Sequence, residues 1–194
     1  MTGAKAIVTS LEQEGVTTVF GYPGAAICPV YDCLSESPIC HILVRQEQNA
    51  GHAAAAYGRI SGRPGVCITT SGPGALNLLT ALATAYMDSI PLVAITGQVP
   101  SDQLGRDVFQ EADITGAAEP FTKHSFLVKD AADIPRIMKE AFYLAGTGRP
   151  GPVLIDVPLD VQNRELDFAY PDEVSIRGYH PSTRANPLQL RAAR

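Results

Sequence analysis

Short apolar runs rich in β-branched residues recur along this chain, each bounded by glycine or proline and separated by stretches of helical periodicity. The runs are "TTVFGY", "HILVR", "GVCITTS", "PLVAITG", "SFLVK" and "PVLIDVP". They are apolar at consecutive rather than alternate positions, the pattern of strands covered on both faces. Strands of that kind alternating with helices are βαβ units, because parallel neighbours need a crossover of a dozen residues or more. The pattern predicts an α/β fold with a parallel sheet of about six strands covered by helices on both faces.

Helices are expected near residues 4–14, 48–61, 75–87 and 131–145. In the last, Ile134, Ile137, Met138, Ala141 and Ala145 share one face, Pro135 sits in the first turn, Asp130 or Asp133 can cap, and Gly146 can end it. With 194 residues, 45% of them hydrophobic, the chain is long enough for one sizeable core. Beyond "VPLDVQN" the texture changes to prolines and aromatics, without periodicity until "NPLQLRAAR". We expect one domain over residues 1–165, followed over 166–194 by a linker and the start of a further domain.

A net charge of −5 gives no basic face, which weighs against nucleic acid or anionic lipid as a partner. No apolar run reaches the ~18 residues of a membrane span, and the first residues lack a basic-then-apolar export signature. A cytoplasmic chain with reduced thiols is expected. Cys28, Cys33, Cys40 and Cys67 form no CxxC pair, and with His41 or His52 they match no zinc spacing, so no metal site is expected.

Three glycine-containing stretches, "GYPGAA", "SGPG" and "GQVP", follow apolar runs. In an open parallel sheet the loops at the carboxyl ends of the strands line the ligand crevice, so all three are expected to be turns facing one site. None is GxGxxG or a P-loop, which leaves a nucleotide cradle unsupported. Glu47 falls at the corresponding place after "HILVR" and opens a helix in which Ala50, Ala53, Ala54 and Tyr57 form a small-residue stripe. One reading of such a glutamate is a charge complementing the helix dipole. The other is a desolvated carboxyl, its pKa raised by burial, that exchanges a proton with a nitrogen or oxygen partner. Asp107 and Glu111 in "GRDVFQEAD" are accounted for by a capped loop.

Taken together, "FGYPGAAICPVYDCL", "RQEQNAGHAAAAYGRISGRPGVCITTSGPGALN", "DSIPLVAITGQVP", "DVFQEADITG", "TKHSFLVKD" and "GRPGPVLIDVPLDVQ" run in order from about Lys5 to about Tyr179. This series resembles the N-terminal, pyrimidine-binding domain of thiamine-diphosphate enzymes, in particular of the acetohydroxyacid synthases (acetolactate synthases). The resemblance implies that Glu47 hydrogen-bonds N1′ of the aminopyrimidine of thiamine diphosphate and promotes the tautomer that deprotonates C2 of the thiazolium. It implies Pro23 and Gly24 over the reacting centre, Thr70, Pro73, Gly74 and Asn77 against the pyrimidine, and a substrate pocket with Ala25, Phe109 and Gln110. Gln110 is also implied as a catalytic polar contact, and His52 as structural support.

The implied substrates are pyruvate and a second 2-ketoacid, pyruvate or 2-ketobutyrate. The implied products are 2-acetolactate or 2-aceto-2-hydroxybutyrate, on the route to branched-chain amino acids. A homo-oligomer through this domain and a regulatory subunit are the implied partners. In such enzymes magnesium and FAD belong to later domains, so this chain alone is expected to be inactive. Two departures stand out: the family's "GYPGGA" is here "GYPGAA", which introduces Ala25, and its "GTDAFQE" is "GRDVFQE", which introduces Arg106 and Val108. The alternatives are one half of a split thiamine-diphosphate 2-ketoacid decarboxylase and a non-catalytic α/β interaction module. Retention of Glu47 weighs against the second.

Overall fold

Every apolar run becomes a strand: β1 (Thr18–Tyr22), β2 (Cys40–Leu43), β3 (Gly65–Thr69), β4 (Leu92–Gln98), β5 (His124–Leu127) and β6 (Pro152–Pro158). In the computed structural model, which describes residues 1–193, they form one sheet in the order β2-β1-β3-β4-β6-β5. Every neighbouring pair is parallel. Side chains alternate across the sheet, and β3, β4 and β6 are buried at every position, which explains their continuous apolar runs. At the edge the expected cover is not met, since Ile42 and Leu43 of β2 are exposed. Val66, Ile68, Val93, Ile95, Val153 and Ile155 enter one core; Cys67, Leu92, Ala94 and Leu154 enter the other.

The first core is closed by α1 (Gly3–Gln13), α2 (Cys28–Ser35), α7 (Ile134–Gly146) and α8 (Leu159–Asn163). Ile7, Leu11, Ile134 and Met138 are fully buried in it, each worth ~1.5–3 kcal/mol of removed apolar surface. The second core lies under α3 (Glu47–Ser61), α4 (Pro73–Leu76), α5 (Leu79–Met87) and α6 (Ile114–Ala118), and alanines make up much of it. Small side chains remove little area each, so this face depends on close approach: a β-carbon at Gly51 would collide with the Ala81 β-carbon.

Three expectations are corrected. The helix expected over 75–87 is two pieces, α4 and α5, because the Leu78 amide bonds back to the Ala75 carbonyl at 3.0 Å and tightens the turn at Asn77 and Leu78. "GQVP" is not a turn at its glycine: Gly97 lies inside β4, and its missing side chain admits the Ala26 carbonyl. The buried line of α3 is Ala50, Gly51, Ala54, Ala55 and Gly58, whereas Tyr57 is exposed and Ala53 half-buried. The two glycines made that line invisible to a count of apolar residues. Helix α2 was not expected either; Pro29 is tolerated because it sits in the first turn.

Of the two candidate caps of the 131–145 helix, Asp130 bonds the Ala132 amide at 3.1 Å and starts a short 3-10 turn that leads into α7. Between 166 and 180 the chain lies against the first core. The Tyr170 hydroxyl donates to Glu14 Oε1 at 2.8 Å, and the Tyr179 hydroxyl to the Thr147 carbonyl at 2.9 Å. A last helix, α9 (Pro187–Ala192), is capped by Asn186 and exposed. Arg194, the end of the 166–194 segment, lies outside the described residues. No helix among the described residues is long and apolar enough to cross a membrane.

Candidate active site

Strand β1 sits between β2 and β3, so successive βαβ units leave it in opposite directions. A reversal of that kind opens a crevice outside the carboxyl ends of the strands. Pro23 and Gly24 follow β1, Glu47 lies just beyond β2, and Thr70, Pro73 and Gly74 follow β3. The topology thus brings the first two glycine turns and the glutamate to one edge.

Glu47 is the first residue of α3 and is half-buried. Its Oε2 accepts a hydrogen bond from Asn77 Nδ2 at 2.9 Å. Its Oε1 lies beside Gly74, where a β-carbon would stand 3.2 Å away. One oxygen is therefore committed, and the other borders backbone without a side chain. The desolvated carboxyl that was expected is met only in part, since Glu47 keeps some exposure at the start of α3. His52, expected as structural support, is exposed on that helix.

Thr70 is the wedge between the two turns. Its Oγ1 accepts from the Ala26 amide at 3.3 Å, and β-carbons built at Gly24 and Gly74 would stand 2.6 Å and 2.7 Å from its side chain. The glycines let Thr70 hold the two turns together. Around them Pro23, Ala25, Pro73 and Leu76 are exposed, so the site is an open apolar shelf beside a carboxylate.

Phe109 and Gln110 arrive on a loop after β4. Asp107 and Gln110 both adopt left-handed backbone, φ 54 and 60, a conformation that costs a non-glycine residue ~1–2 kcal/mol. Glu111 counters this by accepting from the amides of Gly105, Arg106 (3.3 Å) and Val108 (3.1 Å). These amide bonds, that of Gly105 foremost, hold its carboxyl below the usual range. Gly72, at φ 56, packs its backbone on that of Gln110; a β-carbon there would stand 2.5 Å from the Gln110 carbonyl oxygen. Phe109 projects outward, 88% exposed.

Two polar groups that the sequence reading did not single out lie beneath this edge. Asp156, on β6, is fully buried; burial pushes its carboxyl up to about 7, against hydrogen bonds from Thr96 and Gln98 that pull it down, and the charge of Asp113 adds to the rise. The signal was one acid inside the otherwise apolar "PVLIDVP". Gln162, also fully buried, donates from Nε2 to the carbonyls of Ala26 at 2.7 Å and Val157 at 2.8 Å, and so ties the first turn down.

Residues 1–117 match the sequence model of the family described as "Thiamine pyrophosphate enzyme, N-terminal TPP binding domain". The chain belongs to the thiamine pyrophosphate enzymes. It is similar over its whole length to the "Acetolactate synthase large subunit" of Corynebacterium glutamicum, at 57% identity over 194 residues. It is also similar to the "Acetolactate synthase" of Mycobacterium bovis at 54%, and to the "Probable acetolactate synthase large subunit" of Methanocaldococcus jannaschii at 52% over 196 residues. The chain spans 31% of the first two relatives and 33% of the third, about a third of their length.

For a thiamine pyrophosphate enzyme the shelf suits the ring end of the cofactor. Gly74 leaves room beside Glu47 Oε1 that a β-carbon would take, and exposed Pro73 and Leu76 offer apolar surface for a flat ring. Among the described residues no group of three or more His, Cys, Asp or Glu stands together to hold a metal ion.

Proposed function

We propose that this chain is the pyrimidine-binding half of an acetolactate synthase active site. In this reading the whole protein joins pyruvate to a second 2-ketoacid, pyruvate or 2-ketobutyrate. It yields 2-acetolactate or 2-aceto-2-hydroxybutyrate for branched-chain amino-acid synthesis. The observation that carries the reading is the Glu47–Asn77 pair at the switch point, one carboxylate oxygen held and the other left for a ring nitrogen. Identity of 57% to a relative named acetolactate synthase large subunit supports the choice of reaction.

Bound thiamine diphosphate supplies the carbanion chemistry by which a 2-ketoacid is decarboxylated and a carbon–carbon bond formed. This chain's residues bind its ring and manage one proton. Asn77, donating to Oε2, fixes the orientation of the Glu47 side chain, so that Oε1 takes or returns a proton at the pyrimidine N1′. Thr70, Pro73 and Gly74 hold one side of the ring, and Pro23 and Gly24 lie over the reacting centre. Ala25, Phe109 and Gln110 form the substrate pocket, in which the Gln110 amide donates to a 2-ketoacid oxygen. The Ala25 methyl narrows the pocket at the first turn, and Arg106 and Val108 alter the loop that carries Phe109.

In this reading magnesium, the diphosphate end and FAD are held by parts of the protein other than this chain, which spans 31% of the Corynebacterium glutamicum relative. Assembly of like subunits through this domain, and docking of a regulatory subunit, belong to the same reading. The test is complementation: the chain is combined with the remaining two-thirds of the Corynebacterium glutamicum subunit, and acetolactate is measured. Acetolactate above the level of either piece, abolished by Glu47→Gln, is expected. Equal turnover with Glu47→Gln would overturn the assignment.

A further inference from the structure

Thr96, Gln98 and Asp156 form a buried polar cluster on β4 and β6. The register pairs Thr96 with Asp156 across β4 and β6. Thr96 Oγ1 donates to Asp156 Oδ1 at 2.6 Å, and Gln98 Nε2 donates to Asp156 Oδ2 at 2.9 Å. The same Nε2 also donates to the Ala112 carbonyl at 2.9 Å, while Gln98 Oε1 accepts from the Val99 amide at 2.9 Å. The orientation of this amide is therefore determined. A flip would set its oxygen against the Asp156 carboxyl and the Ala112 carbonyl, and its NH2 against the Val99 N–H.

Ala112 ends the loop that carries Phe109 and Gln110, with left-handed Asp107 and Gln110 inside it. Backbone in that region persists only where the surroundings hold it. Glu111 gathers the near side of the loop through three amides, and Gln98 holds the far end to the sheet. A buried acid is costly unless its hydrogen bonds are used, and here one of them holds the Gln98 side chain, which hydrogen-bonds the Ala112 carbonyl.

We propose that Asp156 is a positioning residue: through Gln98 it anchors Ala112, and so sets the loop bearing Phe109 and Gln110 against the Gly72 turn beside Glu47. The proposal rests on the reading of Gln110 as a substrate contact. Asp156 is 1% exposed, and its link to Ala112 runs through Gln98. A carboxyl or an amide at position 156 can accept from Gln98 Nε2; an aliphatic side chain cannot.

Hydrogen exchange on the 194-residue chain tests the anchoring without any cofactor. The amides of Gly105, Arg106, Val108 and Glu111 are followed in the wild type, Asp156→Asn and Asp156→Leu, with β3 as reference. Asp156→Leu is expected to speed exchange of the loop amides at least ~10-fold with β3 unchanged, and Asp156→Asn to stay within ~3-fold of wild type. Gln98→Met, which keeps the Thr96–Asp156 pair, should loosen the loop as Asp156→Leu does, and it decides the matter if the leucine variant does not fold. Unchanged loop protection, equal loosening of loop and β3, or an asparagine variant as loose as the leucine one would overturn the proposal.

In the complemented enzyme, Asp156→Leu added to Gln110→Ala should lower turnover by no more than ~2-fold beyond Gln110→Ala alone, because both act through the same contact. Additive losses would overturn it. If Gln110→Ala alone left turnover unchanged, the substrate-contact reading would fall, while the exchange result would still decide the anchoring.

Discussion

Asn77 donates to Glu47 across the gap between two helix starts, Nδ2 to Oε2 at 2.9 Å, although the two residues are 30 apart in the chain. The bond links the turn after β3 to the first turn of α3. Both residues are half-buried, so the contact does more to orient the carboxylate than to stabilise the fold.

Glu47→Gln separates those two roles. The amide keeps the size and one acceptor, so unfolding by urea should shift by less than ~1 kcal/mol. Turnover of the complemented enzyme should fall by ~10²–10⁴-fold, the range for removal of a general acid–base group. A variant that is inactive because it is unfolded would show itself in the urea curve.

Gly72→Ala strains the junction between the site's two loops. The residue is at φ 56, and its β-carbon would stand 2.5 Å from the Gln110 carbonyl oxygen, a backbone atom that cannot rotate aside. A loss of ~2 kcal/mol in unfolding free energy is expected. Faster hydrogen exchange at Glu111, whose amide donates to the Val108 carbonyl at 3.1 Å, should accompany it.

Gly51→Ala sets two effects against each other. Alanine in place of glycine inside a helix gains ~1 kcal/mol in propensity, but here the added methyl meets the Ala81 β-carbon in a core already built from small residues. Overpacking costs ~1–3 kcal/mol, so a net destabilisation of ~1 kcal/mol is expected by urea denaturation. A stabilised variant would mean that α3 and α5 separate without penalty.

Asp156 should make the chain's stability depend on pH. Its carboxyl titrates at about 7 when folded, against 3.8 ordinarily, because burial disfavours the charge. Between those values the folded chain holds a proton that the unfolded chain has lost, so stability falls as pH rises through the window. The contribution is fully present below pH ~4 and is lost as pH rises through about 7. Measured by urea at stepped pH, the wild type should lose up to ~1.4 kcal/mol per pH unit relative to Asp156→Asn in that window. Above pH ~8 the difference should level off, since Asp156 is then ionised in both states. A difference that is constant across the whole range would show that Asp156 does not titrate there.

The fold was legible because its signal is local. A strand covered on both faces is apolar at consecutive positions, as β3, β4 and β6 are, and six apolar runs separated by helical stretches leave a parallel sheet as the economical packing. The same logic located Glu47, since a residue just beyond a strand's carboxyl end and at a helix start faces the crevice whatever the rest of the chain does. The buried line of α3 was missed because glycine carries no hydrophobic mark, although Gly51 and Gly58 are the residues that allow its close packing.

By itself the sequence determined the six strands, the helices α1, α3 and α7, the burial of the central strands, the resemblance to a thiamine-diphosphate domain and the position of the glutamate just beyond a strand. Only the tertiary structure decided which partners those residues meet. The Glu47–Asn77 bond, Thr70 between Gly24 and Gly74, and the link from Asp156 through Gln98 to Ala112 all join residues distant in the chain. The reason is physical: burial and periodicity are properties of neighbouring residues, whereas a hydrogen bond across a sheet edge depends on register and loop path, which are set only when the whole chain has packed.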